Sequence, residues 1–148
     1  MDENKFKEII HFAIDKEVRA FNFYKEASQV AKYSGVRELF LDLTKEEEKH
    51  WKLLEKLDLG KIARVKIEQV PDLKISDYMV EIEFKPDLSY AEILRVAMKM
   101  EEHSLKLYSD MKESNRDEEL KKLFSFLANE EAKHKLRLEK IYDEEILK

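Results

Sequence analysis

Apolar side chains recur every three or four residues along four stretches of this chain, the spacing that gives an α-helix one buried face. The first stripe, from about Asn4 to Tyr33, runs Ile10, Ala13/Ile14, Ala20/Phe21, Tyr24, Ala27, Ala31, and carries Glu17 within it. Ser34-Gly35 interrupts the pattern. The second stripe runs Val36, Leu39/Phe40, Leu43, Leu54, Leu57, with Glu47 and His50 inside it, and stops near Gly60. The third opens at Ser89, where Glu92 three residues on completes a capping box. It continues Ile93/Leu94, Ala97, Leu105, Tyr108, Met111, with Glu101 in the stripe. After a turn at Ser114-Asn115-Arg116-Asp117, the fourth runs Leu120, Leu123/Phe124, Leu127, Leu138, Ile141, and encloses Glu131 and His134. The breaks within each pair are short, so the paired helices must be antiparallel neighbours. Residues 60–88 behave differently. Pro71 and Pro86 punctuate them, and alternation over Ile62–Val70 and Met79–Phe84 predicts extended pieces in a crossover. The expectation is an all-α single domain, 1–148. Hairpins 3–59 and 89–147, joined by the 60–88 crossover, form an antiparallel four-helix bundle.

The second half repeats the first at an offset of 84 residues. Glu17 maps onto Glu101, Glu47 onto Glu131 and His50 onto His134. Around them Ala13 maps onto Ala97, Tyr24 onto Tyr108, Phe40 onto Phe124, Leu43 onto Leu127 and Leu54 onto Leu138, with no gap. This is the mark of a duplicated helical hairpin.

Composition narrows the chemistry. There are no cysteines, which excludes disulfides, thiolate catalysis and iron–sulfur clusters. A net charge of −5 with Lys and Arg interleaved among Glu and Asp leaves no basic stripe for nucleic acid. No run is long and apolar enough for a membrane helix, and the N-terminus lacks a signal-peptide layout, so a cytoplasmic protein is expected. Charged residues make up 41% of the chain, a bias seen in heat-adapted proteins; it bears on stability rather than chemistry.

Positions three, four and seven apart share a helix face. Glu47, His50 and Leu54 therefore lie on one stripe, as do Glu131, His134 and Leu138. Four carboxylates and two imidazoles are aimed at one core. Burying a bare carboxylate costs several kcal/mol, and four together repel one another and raise their pKa values. Two divalent cations would bring +4 against −4 and remove the conflict. Carboxylate oxygen with imidazole nitrogen suits iron or manganese; zinc could sit there without redox chemistry. The candidate metal ligands are Glu17, Glu47, His50, Glu101, Glu131 and His134. Glu8-Ile9-Ile10-His11 has the same Glu-x-x-His spacing, but its 84-offset partners are Glu92 and Arg95, which makes it a surface decoy. His103, two residues past Glu101, points off the core face, and Glu46, Glu48, Glu102 and Glu130 read as solvated neighbours. Tyr24 and Tyr108 fit two readings, plain packing or hydrogen bonding to a ligand carboxylate. Trp51 should be partly buried with no cofactor role.

These residues resemble the ferritin-like di-iron carboxylate superfamily, and within it the rubrerythrin-type erythrin domain. The resemblance implies a ferritin-like bundle, with two iron ions as cofactor. Glu17 and Glu101 would be terminal ligands, Glu47 and Glu131 bridging ligands, and His50 and His134 one imidazole per ion. It also implies reaction with hydrogen peroxide or O2, drawing electrons from an external donor such as a rubredoxin-type protein. Where rubrerythrins carry a further glutamate one turn past the third-helix ligand, this chain has Ser104, and the cysteines of a rubredoxin domain are absent. Peroxide turnover below that of a full rubrerythrin is therefore expected, as is a homodimer rather than a mineral-storing cage. A non-cage ferroxidase or iron-binding protein is one alternative function, and a metal-stabilised bundle without turnover is another.

Overall fold

The computed structural model describes residues 3–32, 34–57, 78, 85, 87–115 and 117–147. Four helices account for nearly all of them: α1 (Glu3–Val30), α2 (Ser34–Glu55), α3 (Tyr90–Glu113) and α4 (Glu118–Glu145). No strand occurs among the described residues. α1 packs along α2 and α3 along α4, as the two short breaks require, and α1 also touches α3. The all-α four-helix bundle expected from the periodicity is the fold observed. Extended pieces expected over Ile62–Val70 and Met79–Phe84 lie outside the described residues.

Local chemistry sets three of the helix boundaries. The Ser89 hydroxyl accepts from the Glu92 amide, and the Glu92 carboxylate accepts from the Ser89 amide, so the capping box closes as read from the sequence. Asp117 caps α4 by accepting from the Leu120 amide. At the end of α3, the Ser114 hydroxyl and the Asn115 side-chain amide both donate to the Met111 carbonyl, giving otherwise orphaned helix-end groups a partner. One boundary differs from expectation. α1 ends at Val30, the interruption falls on Ala31 and Lys32, and both Ser34 and Gly35 belong to the first turn of α2. First-turn amides need no intrahelical partner, so a glycine is tolerated there at little cost.

The helix faces are also turned relative to the simplest stripe. On α1 the buried side chains are Phe6, Ile9, Ile10, Ala13, Lys16, Glu17, Ala20, Phe23, Tyr24, Ala27 and Ser28, whereas Ile14 and Phe21 are only half-buried. α3 does the same, burying Met100, Ser104 and Leu107 while Leu105 and Met98 stay half-buried. Each of these helices faces its hairpin partner and the other hairpin at once, which widens the buried strip.

The core has two apolar ends and a polar middle. One cluster gathers Phe6, Ile9, Ala13 and Leu54 with Leu107, Tyr108, Phe124 and Leu127. The other gathers Phe23, Tyr24, Leu39, Phe40 and Leu43 with Ile93, Leu94, Met100 and Leu138. Each joins both hairpins, and burial of one such side chain contributes roughly 1.5–3 kcal/mol. Aromatic contacts lock the ends: Phe6 meets Phe124 edge-on at 6.5 Å, and Tyr24 stacks on Phe40 at 6.1 Å. The two apolar ends leave a buried layer between them for polar side chains.

Candidate metal centre

Each helix delivers its share of that layer. α1 supplies Glu17, α2 Glu47 and His50, α3 Glu101, α4 Glu131 and His134. Glu17, Glu47, His50, Glu101 and Glu131 are each 1% exposed and His134 is 6% exposed. Their ligand atoms fall into two overlapping groups that could each hold a metal ion, Glu17/Glu47/His50/Glu131 and Glu47/Glu101/Glu131/His134. Within each group the atoms lie within 4.8 Å of one another. Glu47 and Glu131 belong to both groups. All six residues singled out from the sequence are thus brought to one place.

The halves interlock. His50 on α2 places Nδ1 2.7 Å from Glu131 on α4, and His134 on α4 places Nδ1 3.0 Å from Glu47 on α2. The two imidazole rings stack at 5.6 Å, inclined by 18°. Nδ1 of His50, close as it is to Glu131, is not aligned for a hydrogen bond. Oε2 of Glu17, Oε2 of Glu101 and Oε1 of Glu131 are likewise buried without a hydrogen-bond partner. Buried polar atoms left unmatched are rare in folded proteins. Here they converge from four helices, and hard carboxylate oxygens with imidazole nitrogen form a donor set for divalent first-row metals. The residues present therefore fit metal binding.

Electrostatics give the same picture. Burial, then repulsion from Glu131, Glu17 and Glu101, pushes the Glu47 carboxyl well above its usual range. Burial together with Glu101 and Glu17 does the same to Glu131. Burial also acts to raise Glu17, but its close neighbours Glu47 and His50 and the hydrogen bond from Tyr108 outweigh it and hold Glu17 below the ordinary value. Glu101 is depressed in the same way, burial being outweighed by its close neighbours Glu131 and His134 and by the hydrogen bond from Tyr24. Burial disfavours charge on His134, yet the nearby Glu101 carboxylate raises its pKa overall.

Tyr24 and Tyr108 combine both sequence readings. Both pack in the core, and both donate to a ligand carboxylate of the opposite hairpin: Tyr24 to Glu101 at 2.6 Å and Tyr108 to Glu17 at 2.5 Å. Burial and the neighbouring carboxylates push both hydroxyls well above their usual pKa, so they remain donors. Of the decoys, His11 is exposed, and His103 is half-buried with Nδ1 2.9 Å from the Lys99 carbonyl. Trp51 is half-buried and meets Phe21 edge-on at 4.9 Å. Glu46 and Glu130 are half-buried rather than fully solvated, and with His134 they form a third, shallower group of metal-binding atoms. Ser104 is buried at 8% exposure and offers no carboxylate.

Lys16 was not foreseen. It is 5% exposed beside Glu17, and Glu17, Glu131, Glu101 and Glu47 all act on it electrostatically. Burial lowers its pKa, while those four carboxylates support its charge. The available signal was its position seven residues from both Ile9 and Phe23, in a column of α1 that the simpler stripe left out.

Comparison with known proteins agrees with this arrangement. Residues 8–142 match the family model for rubrerythrin. A solved structure of a hypothetical protein from Pyrococcus furiosus is similar, with a TM-score of 0.72 and 27% sequence identity over 92% of this chain and 87% of that one. No curated protein matches the chain. No helix among the described residues is long and apolar enough to cross a membrane. Rubrerythrin domains bind metal, usually iron, and the family match spans both hairpins and all six candidate ligands: this chain belongs to the rubrerythrin family.

Proposed function

We propose that this protein holds two iron ions between its hairpins and reduces hydrogen peroxide, with O2 as the slower oxidant. The observation that carries the reading is the pair of overlapping ligand groups with Glu47 and Glu131 in common. A shared carboxylate is how two ions are held close enough to act on one small molecule. In this reading Glu17 and His50 complete one ion's ligand set, Glu101 and His134 complete the other, and Glu47 and Glu131 bridge. Two ferrous ions held there would supply the two electrons that, with two protons, convert hydrogen peroxide to two waters.

The chain's own residues prepare that chemistry. Tyr24 and Tyr108 fix the orientation of Glu101 and Glu17 through cross-hairpin hydrogen bonds, which ties the two half-sites together. The apolar clusters on either side keep bulk water out and strengthen every charge interaction inside. With Ser104 and Ala20 at the duplicate positions one turn past Glu101 and Glu17, neither half carries an alternative carboxylate. Both ions would therefore keep their ligands through the redox cycle. Re-reduction would come from an external donor, because no cysteine is present to build a relay within this chain. Stopped-flow mixing of the ferrous protein with peroxide and with O2 tests the proposal. Faster oxidation by peroxide is expected, and equal or slower oxidation by peroxide would contradict it.

One observation favours a second reading, a non-cage protein that takes up and oxidises ferrous ions. Glu46 and Glu130 extend the site outward from His134 as a half-buried acidic step. In that case the ferrous protein would take up more than two ions per chain, and Glu46→Gln/Glu130→Gln would slow loading without changing the bound spectrum.

A further inference from the structure

Among the described buried residues, Lys16 is the only charged side chain outside the six candidate ligands. It is 5% exposed, stands one position before Glu17 on α1, and feels all four ligand carboxylates. None of them pairs with it directly: their nearest basic partners are His50 and His134. Buried charges are ordinarily paired, so an ammonium here without a contact partner calls for an explanation.

Packing does not supply one. The duplicate of Lys16 is Met100, 2% exposed, so a neutral side chain of similar length fits the equivalent place in the fold. Lys16 and Ala20 share one column of α1, Met100 and Ser104 share one column of α3, and these are the helices that meet across the hairpins. Only one of the two columns carries a charge.

Loading the centre changes the balance around that charge. Ligating imidazoles are neutral. Two divalent ions would bring +4 against the −4 of Glu17, Glu47, Glu101 and Glu131, which leaves the Lys16 ammonium as one positive charge without compensation. Ala20 and Ser104, one turn past Glu17 and Glu101, carry no carboxylate to offset it. Glu46 and Glu130 are half-buried beside His134 on α2 and α4, the two helices that do not carry Lys16.

We propose that Lys16 makes the loaded centre a site for a small monovalent anion, held on the side of the centre that Lys16 occupies. This rests on the six residues holding two divalent ions. Lys16 acts as a positioning residue through its charge: it attracts an anion such as azide or the anion of hydrogen peroxide, and opposes the cations themselves.

Azide titration of the cobalt(II)-loaded protein tests this, with anion binding read from the visible absorption and cobalt content from elemental analysis. Two cobalt ions and one saturable azide per chain are expected for the parent. Lys16→Met, which copies the residue at the duplicate position, should hold both cobalt ions at least as tightly. It should bind azide about 10–100-fold more weakly, the effect of one unit charge on another several ångströms away inside a protein. These opposite responses separate charge from folding, because a damaged core would weaken both. Cobalt-loaded parent that binds no azide, azide affinity in Lys16→Met equal to or above that of the parent, or loss of azide and cobalt affinity together would overturn the proposal and leave the metal centre standing. Fewer than two cobalt ions in the loaded parent would overturn the metal centre and this inference with it.

Discussion

Tyr24, Tyr108 and Lys16 set the tone of the site at the scale of single residues. A tyrosine seven positions from a glutamate on its own helix could be read from the sequence as packing or as a hydrogen-bond donor. That each serves the glutamate of the other hairpin could not, because spacing reports which residues share a face and not which face lies opposite. Tyr108→Phe should leave the bundle folded and weaken metal affinity about 10–100-fold, the usual cost of losing a partner that orients a metal ligand. Competition with a chelator of known affinity measures this, and an unchanged affinity would reduce Tyr108 to packing alone. Lys16 has Met100 as its duplicate, also buried. Its ammonium offsets four carboxylates when no metal is bound and opposes two cations when metal is present. Lys16→Met should therefore lower the melting temperature of the metal-free protein and tighten zinc binding by about tenfold. Movement of both quantities in the same direction would mean that Lys16 acts through packing and not through charge.

Helices were the most legible elements, since a 3.6-residue period over 20 or more residues leaves little freedom. Both caps at Ser89 and Asp117 follow from side chains that can reach an amide three residues on. What the sequence did not reveal was the rotation of α1 and α3. Ile14 and Phe21 fit the stripe as well as Ile9 and Phe23 do, and only contact between the hairpins decides which are buried. The Ser34-Gly35 break was misplaced because a helix start and a helix stop draw on the same residue types. Element packing also reaches the site. Phe124 is fully buried, stacks on Tyr108 at 6.4 Å and touches Phe6, so it holds α4 against α1 and α3. Phe124→Ala should cost about 3–5 kcal/mol of stability and loosen Tyr108 from Glu17. Denaturant unfolding with and without metal checks both: a loss below about 1 kcal/mol would show that the hairpins dock without this ring.

At the scale of the whole molecule, metal, protons and folding are one equilibrium. Glu47 and Glu131 have raised pKa values in the folded protein, so the stability they contribute is present below the ordinary carboxylate pKa and lost as pH rises through their raised values. His134, also raised, loses its contribution in the same upward direction. Glu17 and Glu101 are depressed, so their contribution is present above the ordinary carboxylate pKa and lost as pH falls through their lowered values. The metal-free protein should thus be most stable in mild acid and weaken toward neutrality, while the stabilisation gained on adding metal grows over the same rise. Melting curves across pH with and without zinc test this, and a metal-free protein that gains stability from mild acid to neutral pH would contradict it. A homodimer is expected from light scattering. The most direct test of the account is the metal content of fully loaded protein, measured by elemental analysis for the parent, His50→Ala and Glu47→Ala. Two ions per chain in the parent, weakened binding of one in His50→Ala and of both in Glu47→Ala is the expected result. One ion or none per chain in the loaded parent would contradict the two-metal centre.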